Sequence, residues 1–122
     1  MAKELKTGSA SMTFDDGDTR VRMSKAGLEI DTAGKQHIHT TQNIGTSPEA
    51  LDLGDLTTLG WAFFFNQDKT NYVEIRPATG VADFLRIEKR EWSGPMRLAP
   101  EAVPFAIADT DSVKLEYLII ED

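Results

Sequence analysis

His37 and His39 are the only histidines in the chain, and a strand carrying them turns both imidazoles to the same face. Two nitrogens side by side begin a metal site without completing one, because tetrahedral and octahedral ions need more donors. A cupin-type centre would want a third histidine and a nearby carboxylate. The histidine is missing, and the next acidic residue, Glu49, lies beyond a turn that contains Pro48. The pair becomes a full ligand set only where three copies gather it on a threefold axis. Otherwise His37 and His39 belong to a solvated or subunit-facing strand surface. No cofactor is expected.

The remaining chemistry-bearing residues read mainly as structure. Asp15, Asp16 and Asp18 resemble a hard-cation cluster but lack the alternating spacing and distal glutamate of a calcium loop, so they are assigned to a hairpin turn. Asp52 with Asp55, and Asp109 with Asp111, read the same way. Gly27 and Gly34 stand too far apart for a phosphate loop, and Gln36 follows Lys35 where Ser or Thr is required. Ser47 has neither the second glycine of a nucleophile elbow nor a legible relay. The paired carboxylates of a glycosidase would need a cleft that so short a chain has little material to build. No catalytic residue is assigned, and the chain is expected not to be an enzyme.

Among the aromatics, Trp61 shares its expected face with Phe63 and Phe65 and is assigned to the core. Trp92, set among Glu, Ser and Gly, is the candidate for contact with a ligand or subunit. A sugar-stacking platform would need Trp92 and Tyr72 exposed and coplanar.

The elements that must position these residues are strands. Val113, Leu115, Tyr117 and Ile119 alternate with Lys114 and Glu116, and the same two-residue period recurs along the chain, interrupted by turns every 8 to 12 residues. Ser9–Phe14 and Thr19–Met23 flank Asp15-Asp16-Gly17-Asp18, a hairpin signal. Leu28 and Ile30 continue the pattern, and a reversal at Thr32–Lys35 leads into Gln36–Ile44. Gly45–Pro48 then breaks the chain. Leu59–Phe65 is expected to be a central strand with Leu59, Trp61, Phe63 and Phe65 facing the core. Val73 and Ile75 point inward while Tyr72, Glu74 and Arg76 point out. Turns follow at Pro77–Gly80 and Glu91–Pro95, and Pro104 marks its strand as an edge. The fold class is all-β: an antiparallel, jelly-roll-like sandwich of eight to ten short strands. Residues 1–8 form a polar, flexible arm and residues 9–122 a single domain.

Length and charge bound the rest. At 122 residues the chain suits one core. Thirteen Lys and Arg against twenty Asp and Glu leave a net charge of -7, which opposes sequence-independent attraction to nucleic acid. There is no cysteine, so disulfides and thiolate sites are excluded. The opening Met1–Lys6 has no apolar run after its lysines, and no stretch of eighteen apolar residues occurs. Neither a signal peptide nor a membrane span is expected.

Over about the last 70 residues, the Leu53–Leu56 turn, Gly60–Phe64, Thr70–Ile75, Pro95–Leu98 and Ala108–Asp122 together resemble small virion structural proteins of tailed bacteriophages. The resemblance lies in a pattern of strands and turns. It implies a non-enzymatic jelly-roll subunit of the virion, made in the host cytoplasm. Capsid decoration or cementing is the first expectation; a tail, neck or fibre-attachment subunit and a carbohydrate-binding sandwich for a host-surface glycan are the alternatives. The implied partners are other copies of the chain, a homotrimer foremost, and the major capsid or tail proteins. Contacts are expected from Lys3 and Lys6 in the arm and from Tyr72, Arg76 and Trp92.

Overall fold

A computed structural model describes residues 4–31, 34, 36–78 and 80–122, and among these every regular element is a β-strand. The contacts divide the chain into residues 1–33 and 34–122, whereas the sequence set an arm apart at residue 8. Lys3, the reversal at Thr32–Lys35 apart from Gly34, and Thr79 in its turn lie outside the described residues.

The first unit holds four strands in two antiparallel ladders: β1 (Glu4–Lys6) with β4 (Glu29–Asp31), and β2 (Ala10–Asp15) with β3 (Arg20–Lys25). Part of the expected arm is therefore a strand. Leu5 lies opposite Ile30, and Thr7 extends the ladder by donating its N–H to Leu28 O (2.9 Å) while its hydroxyl oxygen accepts the Leu28 N–H (3.0 Å). The expected hairpin forms between β2 and β3. Gly17 turns at φ +95°, a conformation that costs other residues strain, and the aspartates tie the turn. Asp15 Oδ1 accepts the Gly17 N–H at 3.0 Å, and Asp16 Oδ1 accepts those of Asp18 and Thr19 at 3.0 and 2.6 Å. Those bonds hold the Asp16 carboxyl below the usual range, Thr19 contributing most.

The second unit is a sandwich of two four-stranded antiparallel sheets. One has the order β10 (Trp92–Arg97), β7 (Leu59–Asn66), β12 (Val113–Glu121), β5 (His37–Ile44). The other runs β6 (Glu49–Ala50), β11 (Phe105–Ala108), β8 (Val73–Arg76), β9 (Leu85–Ile87). Numbered one to eight within the unit, the sheets read 6-3-8-1 and 2-7-4-5, so the chain crosses between sheets at all but one connection. β11 is internal, covered by the short β6, which corrects the edge position inferred from Pro104.

One core lies between the sheets. β12 contributes Val113, Leu115, Tyr117 and Ile119, all at most 1% exposed, as its alternation predicts. Val73 and Ile75 also point inward as expected. In β7 Leu59 is buried as expected, but beyond it the strand does the opposite of the expectation: Ala62 and Phe64 are buried, while Trp61, Phe63 and Phe65 face away from the core. The strand is apolar at nearly every position, so either set qualifies for burial. Register decides between them, placing Ala62 beside Ile119 and Phe64 beside Tyr117, with ring centroids 6.2 Å apart.

Two buried polar groups close the ends of this core. Asn66 Nδ2 donates to the carbonyls of Asn71 (2.9 Å), Ile87 (3.0 Å) and Glu88 (3.2 Å), and its Oδ1 accepts the Asp68 N–H at 2.8 Å. The Tyr117 hydroxyl shares its proton between Asp52 O (2.7 Å) and Gln42 Oε1 (2.8 Å), and burial pushes this phenol up to about 12.

Candidate functional site

The inverted β7 leaves an aromatic surface on the outer side of the β10-β7-β12-β5 sheet. In register across it stand Trp92 beside Phe65 beside Glu116, then Phe63 beside Leu118 beside His39, then Arg97 beside Trp61. Trp92 is 64% exposed and stacks on Phe63, with ring centroids 5.6 Å apart and planes at 29°. Arginines border the patch: the Arg90 guanidinium lies 5.5 Å from the Phe65 ring centre and that of Arg97 5.8 Å from the Trp61 ring centre. Among the described residues the buried Trp61 Nε1–H has no acceptor.

An irregularity in the pairing of β10 brings both Trp92 and Arg97 to this face. Of the expected turn at Glu91–Pro95, all but Glu91 is instead part of the strand, with a register shift between Ser93 and Met96. Gly94 sits there at φ +118°, where an added Cβ would come within 2.7 Å of Ala62 O. Gly and Pro are tolerated because β10 is the sheet edge.

Beside the rings lies a polar corner. His39 Nε2 is 2.9 Å from Glu116 Oε2, and Gln67 Nε2 donates to Glu116 Oε1 at 3.2 Å. Hydrogen bonding, chiefly from His39 and then from Gln67, holds the Glu116 carboxyl below its ordinary value. Together His39, Glu116, Phe63, Phe65, Trp92 and Leu118 line a shallow depression of about 320 Å³.

His37 shares this outer face with His39, as strand geometry requires, in register with Ile120. Among the described residues no group of three or more His, Asp or Glu side chains is placed to hold a metal ion. Within one chain, His39 therefore has a carboxylate partner and no ligand set.

A second apolar surface belongs to the first unit. The β2–β3 register sets Met12 opposite Met23 and Phe14 opposite Val21, on one face of the hairpin. These side chains are 77, 62, 61 and 55% exposed, respectively, and no described residue from 4 to 31 is buried.

The other expected contact residues are scattered. Lys6 is exposed and lies 3.7 Å from Glu29 and 3.9 Å from Glu4. Tyr72 is half-buried on the outer side of the opposite sheet, its ring covered by the Arg86 guanidinium at 3.9 Å, so it shares no platform with Trp92. Burial is the main cause raising the Tyr72 phenol, with Asp109 next. Arg76, expected to point out as a contact residue, lies in β8 with its side chain only 16% exposed and its Nε 2.7 Å from Asp83.

The sequence flagged Trp92 and His39, but not Phe63, Phe65, Gln67 or Glu116 as their neighbours. Those residues meet only through β-pairing between distant segments. Compared with known proteins, the chain matches no family model, no curated protein and no solved structure.

Proposed function

We propose that this protein is a non-enzymatic structural subunit that assembles with further copies of itself and, through them, decorates a larger shell. The observation that carries the reading is the β2–β3 hairpin. A two-stranded ribbon is marginal in water, and this one exposes Met12, Phe14, Val21 and Met23 together in a unit where none of the described residues is buried. Each copy brings the same face, so pairing within a closed symmetric oligomer covers every copy at once. The face suits its own duplicate: its centre is apolar, and the charged Arg20, Arg22 and Asp15 alternate onto the other side of the ribbon.

The strand order supports the same reading. In the eight-stranded unit, 1-8-3-6 and 2-7-4-5 are the orders in which a jelly roll winds. That fold is the one implied by the resemblance to small virion proteins of tailed phages. A trimer decorating the capsid is the arrangement we favour, with a tail, neck or fibre-attachment position as the alternative placement. Many weak repeated contacts then hold each copy without a deep pocket.

Native mass spectrometry of the full chain tests this. The expected result is a closed oligomer that dissociates on the double substitution Phe14→Ser with Met23→Ser, while the circular dichroism of the sandwich stays unchanged. A wild-type chain that remains monomeric, or an oligomer indifferent to both changes, overturns the proposal. Reconstruction of an intact particle containing the chain distinguishes capsid from tail.

A further inference from the structure

We propose that the depression formed by Trp92, Phe63, Phe65, His39 and Glu116 binds a neutral pyranose sugar. The floor is aromatic, and its most accessible ring, Trp92, is braced from one side by Phe63. A pyranose ring offers a face of weakly positive C–H groups, which the electron-rich face of an indole attracts, and a rim of hydroxyls that need acceptors. The polar corner supplies them. Glu116 uses one acceptor position of each oxygen on His39 and Gln67, and a carboxylate has about four, which leaves acceptor capacity on a residue that lines the depression.

The same corner argues against an apolar protein segment as the occupant. An apolar side chain pressed over the rings would take water from an ionised carboxylate and return no hydrogen bond, and such desolvation is costly. A hydroxyl donates to the carboxylate instead. The Glu116 carboxyl is held in its ionised form, so an acidic group of a sialylated, sulfated or uronic sugar placed on that corner meets a like charge, whereas a neutral hydroxyl donates to it. At about 320 Å³ the depression has room for one or two rings.

The experiment titrates the full chain with N-acetylglucosamine, chitobiose, cellobiose, maltose and lactose, and with sialyllactose as the anionic control. Tryptophan fluorescence and saturation-transfer NMR report binding. At least one neutral sugar is expected to bind saturably and sialyllactose not at all. Trp92→Ala should weaken the bound sugar about tenfold, the scale of one lost aromatic contact. Trp92→Phe should recover part of that loss. Glu116→Gln should weaken binding about fivefold by removing the charged acceptor while leaving an amide oxygen in place. Native mass spectra of the same variants should match the wild type, which keeps this site separate from the assembly reading. The inference is overturned if no neutral sugar binds saturably, if Trp92→Ala binds undiminished, or if Trp92→Ala changes the oligomer, which would make the face a subunit contact.

Discussion

The hairpin of residues 10–25 and the sandwich of residues 34–122 are written in the same two-residue alternation, yet they end in opposite conditions. Phe14 is 61% exposed and Phe64 1% exposed, although both sit in antiparallel strands. The difference is a second layer. Phe64 has the opposite sheet above it, contributed by β8, β9 and β11, whereas β2 and β3 form a sheet of two strands in a unit with no buried residue among those described. Alternation makes a strand two-faced, but burial requires something for the apolar face to meet.

The largest test of that contrast exchanges the same side chain in both places. Phe64→Ala should lower the unfolding free energy of the sandwich by about 3–5 kcal/mol, because a cavity opens beside Tyr117. Phe14→Ala, measured on dilute unassembled chain, should change it by no more than about 0.5 kcal/mol. Urea denaturation followed by fluorescence compares the two, and similar losses would erase the distinction.

Polar groups sharpen it at a smaller scale. Asn66 satisfies three carbonyls and one N–H in the interior, and Asn66→Ala should cost about 2–4 kcal/mol by leaving several of them unpaired. The turn carboxylate Asp16 also accepts backbone N–H groups but stands in water, so Asp16→Asn should be far milder. Equal costs in the two variants would mean that burial is not what gives these bonds their weight.

The smallest effect is acid sensitivity. The folded-state value of Glu116 lies below its ordinary 4.5, so its bonds with His39 and Gln67 stabilise the sandwich fully above that pH. The contribution fades as pH falls through the lowered folded value. Glu116→Gln should therefore flatten part of the stability loss below pH 4.5 while leaving the curve near neutrality parallel to the wild type. A variant that loses stability with acid as steeply as the wild type would remove Glu116 from that response.

Much of this molecule was legible along the chain. Asp15–Asp18 read as a hairpin turn because Asp and Gly carry their own turn chemistry, and the structure places the turn there. The inward set of β12 was legible because Lys114 and Glu116 leave only one apolar face to bury. Where both faces of a strand are apolar or small, the pattern is silent. In β7 it misassigned Trp61, Phe63 and Phe65 to the core, and in β11 the small Ala106 and Ala108 are buried while Phe105 and Ile107 are only partly so. The Gly94-Pro95 pair signalled an interruption, but not that it would bend an edge strand without ending it.

By itself the sequence determined the local alphabet of this protein: strands rather than helices, a turn at the Asp-Gly signal, and a final strand with an unambiguous inner face. Those properties depend on neighbours one to four residues away. The tertiary structure alone decided which side of β7 was covered, that His39 met Glu116, and that Trp92 came to rest on Phe63. Such contacts join segments dozens of residues apart through the register of paired strands, and a shift by one residue would have turned each of those side chains to the other face.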